Sequence, residues 1–404
     1  MPSRRRVLTG AAAITVGGYI ATVAGTSVET TTSERDWPMS QYDPAGTGHN
    51  PNVTGPTSDV ELAWVYDAPP WFHGASAPIR LGETLYAAGT GVVAVNVEDG
   101  TERFVRQGPY TSSFAVVKAD PYRTPTLAVT STGGVYGVNA SGGIKVPGTS
   151  RGIGSERWKG PPYGEYRPTI EHTPTVDPVA YEDSIYTPVV GTNDIAAISA
   201  SDGSVHWRVT VEEDEIASAS FGRPTIQDET LFVANWPNQV SAYNLEDGSQ
   251  IWKRERADQM QLCTPVTDAG IVVMSRSGVA LLNLDDGDSI WERDLDGNAT
   301  EGTAAVTDDT VLLSDGDAEF HALNLETGEL HWSREFHGET QPVVADGVVY
   351  AVEQGYSLRA FDVNTGTELF EYTPSEVPLS PPIVGDGRLY VTNRHRVIAL
   401  EGTA

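Results

Sequence analysis

A chain of 404 residues with a formal net charge of −29 repels nucleic acid and anionic lipid, so neither is expected as a partner. Its four lysines against 22 arginines, under a large acidic excess, match a surface kept hydrated when molar salt screens self-repulsion, as in a halophile. The single cysteine, Cys263, excludes an intrachain disulfide, a cysteine-based zinc site and covalently attached haem, and reads as a small buried hydrophobe.

In chain order, Ser3-Arg4-Arg5-Arg6-Val7-Leu8 resembles a twin-arginine export signal, with Val7 in place of the usual aromatic. A mild Gly/Ala/Thr-rich stretch follows, so 1–30 is expected to be a signal peptide or an uncleaved N-terminal anchor. No cysteine follows the apolar stretch, so no lipobox is present. Anchor or not, the folded part, 36–404, is expected outside the cytoplasm as one monomeric domain, at the cell surface or free of it. Membrane attachment is expected only through an uncleaved signal. The segment 36–58 has no strand period and is expected to lie across one face of the fold.

From there the chain repeats. Small-apolar pairs followed by a polar anchor occur at Asn96, Asn139, Ser199, Asn244, Asn283, Asn324, Asp362 and Glu401. Their spacings of 43, 60, 45, 39, 41, 38 and 39 define eight copies. Each copy reads as four short strands. A Pro-led run opens it, a "DxLY"-type strand follows, and then the anchor strand. An Asx-Gly or Thr-Gly turn, able to supply positive φ, leads to a last strand bearing an aromatic. That aromatic falls eight residues after the anchor: Phe104, Trp207, Trp252, Trp291, Trp332 and Phe370. The last copy ends on "VIALEGTA" without its aromatic strand, whereas "ELAWVYD" at 61–67 has no copy in front of it. The predicted fold is therefore all-β: an eight-bladed β-propeller of four antiparallel strands per blade. It closes when 61–67, with Trp64, joins the C-terminal blade and removes an open edge. Copy two breaks the pattern, with Pro147 where the aromatic is expected, and 147–172 reads as an inter-blade insertion.

The pattern A-x-[N/D]-x-x-[T/D]-G-x-x-x-W, as in "ALNLETGELHW" (322–332) and "AISASDGSVHW" (197–207), resembles the tryptophan-docking motif of the pyrroloquinoline quinone repeat family. The resemblance spans about 37–404, and "WPMSQYDPAGTGHNP" resembles the opening of many non-enzymatic members. It implies that each aromatic locks onto the neighbouring blade. It also implies one of two roles: quinoprotein dehydrogenase, or a scaffold of the BamB-like class. The dehydrogenases hold a quinone in the central funnel with Ca²⁺, a vicinal disulfide and an Asp base. One cysteine cannot form that disulfide. The expected role is thus a non-catalytic scaffold with no cofactor and a protein client. Quinone-dependent oxidoreduction with Ca²⁺, and surface-glycan binding, stand as alternatives.

Few residues are singled out for chemistry. Asp294, Asp296 and Asn298, with Glu301, alternate like a calcium loop but in the wrong order for an EF-hand, and read as a solvated acidic loop. His206 and His331 share a repeat position rather than ligand spacing. Asn52 and Asn298 begin N-glycosylation sequons, and Asn139 begins a third on an anchor. The candidate partner-binding residues are Arg151, Arg157, Trp158, Tyr163, Tyr166 and Arg167, because arginine beside aromatics on a loop is the composition of binding surfaces.

Overall fold

A computed structural model describes residues 33–70, 72, 76–131, 133–145, 152–161, 175–189, 191–211, 221–259, 264–300 and 302–403. Arg4 and Arg5, expected to form an export signal, lie outside the described residues, as do Cys263 and Glu301. So do Arg151, Tyr163, Tyr166 and Arg167.

The pattern of apolar runs and Gly turns folds into eight four-stranded antiparallel sheets in a ring. Blade six is representative: Ala305–Val306, Thr310–Ser314, Glu319–Asn324 and Leu330–Glu335, hydrogen-bonded in sequence order from the centre outward. Thr310–Ser314 is buried along its whole length because neighbouring blades cover both faces of the sheet. The outer strands alternate instead, as Ser289–Asp294 does in blade five, since one of their faces meets water. The tight turns between the first two strands of blades seven and eight use Asp346-Gly347 and Asp386-Gly387. All four residues have positive φ, the twist a two-residue hairpin requires.

Ring closure follows the sequence expectation. Val60–Asp67 pairs antiparallel with Arg396–Gly402, with Trp64 opposite Ala399. Trp332 opposes Ala322 in the same way, and Trp252 opposes Ala242. Both chain ends therefore share one sheet, and no blade is left with three strands.

Blade two corrects the reading of the insertion. Its outer strand is Glu156–Lys159, and Trp158 opposes Gly137 at the docking register. The aromatic is present but arrives later than in other copies, because a hairpin of Ile144–Lys145 and Gly152–Ile153 lengthens the preceding turn. A fixed eight-residue spacing could not find it.

The segment 36–58 does not lie across one face. It runs inside the ring. Trp37 exchanges backbone hydrogen bonds with Arg80 of blade one's innermost strand, Ile79–Leu81. His49–Asn50 adds a parallel strand on the channel side of blade seven's Val343–Ala345.

Candidate functional site

Two features concentrate polar chemistry: the collar of docking aromatics and the inner wall of the ring. The collar begins with the anchors. Asn244 Oδ1 accepts the Glu246 N–H, and the Asn244 carbonyl accepts the Gly248 N–H at 2.9 Å. That holds Gly248 at φ +72, where a left-handed residue without Cβ lets the Trp207 ring of the preceding blade lie directly on the turn. The indole N–H then caps the carbonyl just after the anchor, as Trp207 Nε1 does to Leu245 O at 2.9 Å.

The same lock recurs around the ring. Trp64 reaches Val97, Trp252 reaches Leu284, Trp291 reaches Leu325 and Trp332 reaches Val363. Trp158 reaches the Ala200 carbonyl at 2.8 Å and is only 6% exposed. Placed on a loop by sequence reasoning, it is instead a docking aromatic with its ring turned away from solvent. Arg157 is also tied down: its guanidinium donates to Thr126, Thr124 and Asn139 and sits 4.0 Å over the Tyr122 ring. Burial lowers it to about 10.

Phe104 and Phe370 have no N–H to give. In blade one, Tyr86 supplies it, donating to Ala140 O at 3.0 Å, the carbonyl just after the anchor Asn139. In blade seven, Tyr350 occupies the equivalent strand position and donates to Pro56 O at 2.9 Å, a carbonyl of the N-terminal segment. A second lock lies two residues beyond the aromatic. Arg106 Nε donates to Gly142 O and Arg334 Nε to Gly366 O, the carbonyls of the turn glycines under Phe104 and Trp332.

The inner wall carries the segment 36–56 along it. The segment's carbonyls accept the N–H of Val116 (from Pro38), Ile226 (Pro44), Val266 (Ala45), Val306 (Thr47) and Val344 (Gly48), at 2.7 to 2.9 Å. These donors sit on the innermost strands of blades two, four, five, six and seven. Thr54 accepts from Gly387 of blade eight, and the Ser40 hydroxyl bonds Asp177 beside blade three. Arg223 Nη2 donates to Asp43 O at 2.6 Å, and its charge acts on both Asp43 and Asp177. Burial nevertheless raises both carboxyls, more than Arg223 and the Thr47 and Ser40 hydroxyls lower them. Asp36 is raised by burial too, although it accepts the Gly82 N–H and faces Arg80. Arg80 itself pairs with Asp386 of blade eight.

The remaining candidates are scattered. Asp294, Asp296 and Asn298 are exposed, and Asn298 Oδ1 accepts the Thr300 hydroxyl. Among the described residues no group of three or more His, Cys, Asp or Glu is placed to hold a metal. Asn139 Oδ1 is engaged by Ser141 and Thr124, as an anchor should be. His321 was not legible as special: it is 7% exposed, with neither ring nitrogen hydrogen-bonded, and Asp315 Oδ2 stands 3.7 Å from Nε2.

Comparison with known proteins fits this architecture. A Yersinia pestis outer membrane protein assembly factor BamB is 28% identical over 233 residues, covering 51% of this chain and 58% of that protein. The Moranella endobia BamB is 26% identical, covering 48% and 42%. The chain thus spans about half the length of the curated relatives it matches. Among solved structures, BamB from Moraxella catarrhalis superposes with a TM-score of 0.63 at 14% identity, over 85% of this chain and 98% of that one. The quinohemoprotein alcohol dehydrogenase of Comamonas testosteroni superposes with 0.67 at 13% identity, over 92% and 81%. At these identities the superpositions establish the fold and leave the activity open. The family profile described as outer membrane protein assembly factor BamB matches residues 145–299 and 275–403, and with the docking collar it covers, this chain belongs to that family of eight-bladed propellers.

Proposed function

We propose that this protein is a non-catalytic, protein-binding propeller of the cell envelope, exported by the twin-arginine route. The observation that carries the reading is the inner wall. In a quinoprotein the funnel is where a quinone would stack, whereas here the innermost strands of six blades, and the Gly387 turn of blade eight, already bond the chain's own segment 36–56. The single cysteine, which cannot supply the vicinal disulfide implied by the quinoprotein resemblance, supports a role without quinone or Ca²⁺. The named function of the relatives, outer membrane protein assembly, supports a protein client and an envelope location. The acidic surface supports a site that works in high salt and avoids nucleic acid. Arg151, Tyr163, Tyr166 and Arg167 remain the residues proposed to meet the client. Trp158 and Arg157 leave that set because the blade uses them.

The test has two arms. Titration of the protein with pyrroloquinoline quinone and Ca²⁺, in molar salt, is expected to change neither the quinone's absorbance nor the melting temperature. A stoichiometric spectral shift with a rise in Tm would replace this reading with an oxidoreductase. Capture of envelope proteins is then compared between the native chain and one with 162–174 shortened, sparing the strand that carries Trp158. Loss of a specific client in the shortened chain is expected. Equal capture would move the binding surface elsewhere on the ring.

A further inference from the structure

The segment 36–56 has the properties of a bound peptide rather than of a connector. Main-chain groups make most of its contacts. Trp37, Pro38, Pro44, Ala45, Thr47, Gly48 and Thr54 offer carbonyls to N–H donors from seven different blades, while Ser40 meets the remaining one. Three apolar side chains anchor it: Trp37, Met39 and Val53 are 1%, 4% and 4% exposed, each within a different set of blade contacts or a shared core. Its path is irregular and specific. Gln41 and Tyr42 are left-handed at φ 56 and 69, and Gly46 and Gly48 at φ 72 and 65. A Cβ on Gly46 would stand 3.0 Å from Arg223 and Thr225 side-chain atoms. One on Gly48 would stand 2.9 Å from Gln41 Oε1 and 3.0 Å from the Pro342 carbonyl. Thr57, Ser58 and Asp59, which join it to the closing strand Val60–Asp67, are exposed.

We infer that the inner wall of the ring is a peptide-binding site, and that residues 33–56 are an intramolecular ligand occupying it. The wall supplies a circle of backbone donors; the ligand it fits is a chain that presents carbonyls around a circle. That chain must pass through two left-handed non-Gly residues and two left-handed glycines, and must begin with a buried Trp followed by a half-buried Pro. Because the recognition is by main chain, the site does not depend on the identity of the client, and the inference does not rest on the proposed function. It makes the segment separable: cut from the ring, it should bind again in trans.

The experiment uses the full chain with a protease site inserted between Thr57 and Ser58, so that the closing strand stays with the ring. After cleavage in molar salt, the N-terminal fragment should co-elute with the ring on gel filtration. A fluorescent synthetic peptide of residues 33–56 should replace it saturably. A peptide carrying Gly46→Val and Gly48→Val should compete about tenfold more weakly or worse, because β-branched residues resist left-handed φ. Hydrogen exchange gives an independent reading: the Val116, Ile226, Val306 and Val344 amides should stay protected in the cleaved complex. Two results would overturn the inference. In one, the fragment leaves, the ring keeps its Tm and takes up no peptide. In the other, cleavage alone unfolds the ring, which would make the segment part of the fold's nucleus and not a ligand.

Discussion

The docking lock can be tested where one side chain provides both the ring and the N–H. In blade six, Trp332 is 7% exposed, lies on the turn glycine Gly366 and donates Nε1 to Val363 O at 2.7 Å. Trp332→Phe keeps a ring on Gly366 but removes the N–H, leaving a buried carbonyl without its donor. That costs about 1–3 kcal/mol. Trp332→Ala adds a cavity and should cost about 3–5 kcal/mol. Blade one shows how the chain tolerates a Phe: Tyr86 caps the carbonyl instead. The equivalent position in blade six is Leu312, opposite Ala322 as Tyr86 is opposite Ala94. Trp332→Phe with Leu312→Tyr should therefore recover about 1 kcal/mol, since the smaller ring leaves volume for the phenol. Equilibrium urea unfolding at fixed salt reads all three variants. If Trp332→Phe cost less than about 0.5 kcal/mol, the docking hydrogen bond would not be the lock it is argued to be. If the double variant were no better than the single, the Tyr-for-Trp exchange would be refuted.

Three further outcomes are expected. Gly366→Ala needs φ +66 of an L-residue and puts a Cβ 2.5 Å from the Trp332 ring, so it should lower stability by about 2–4 kcal/mol in the same unfolding assay. Trp64→Ala removes the docking aromatic that holds the closing strand on blade one; limited proteolysis should then cut first near 57–67, while the other blades resist. Burial holds His321 and His49 below the usual imidazole range, in His321 against the pull of Asp315 and Glu319. The unfolded chain therefore takes up protons near pH 6.5 that the folded chain refuses. Stability should be complete above that pH and fall as the pH drops towards the folded values. Tm measured at pH 7.5 and 5.5 should show the loss, and His321→Leu should reduce it, with Arg293 and Glu319 facing the same site unchanged. Asp36, Asp43 and Asp177 act in the opposite sense: their folded values are raised, so each takes up its proton more readily in the folded chain and offsets part of the loss as the pH falls.

How much was legible depended on whether a feature repeats. Seven of the eight docking aromatics stood out because anchor, turn and ring keep one spacing, including Trp64, found by the gap it fills. Trp158 was missed because a hairpin of Ile144–Lys145 and Gly152–Ile153 stretches the interval, and spacing is all a sequence offers there. The arginine two residues after the ring, as in Arg106 and Arg334, was visible as a recurrence in "FVR" and "WSR" but carried no meaning until its carbonyl partners on the next blade were known.

The sequence by itself determined the number of blades, the order of strands within each and the closure of the ring, because these follow from local periodicity and from one strand with no copy of its own. Only the tertiary structure decided where 36–56 goes. Its residues have no period, and its bonds are made by carbonyls, which every residue has. A backbone acceptor meeting Val116, Ile226, Val306 and Val344 leaves no signature in side-chain identity. The circle of donors exists only in the closed ring.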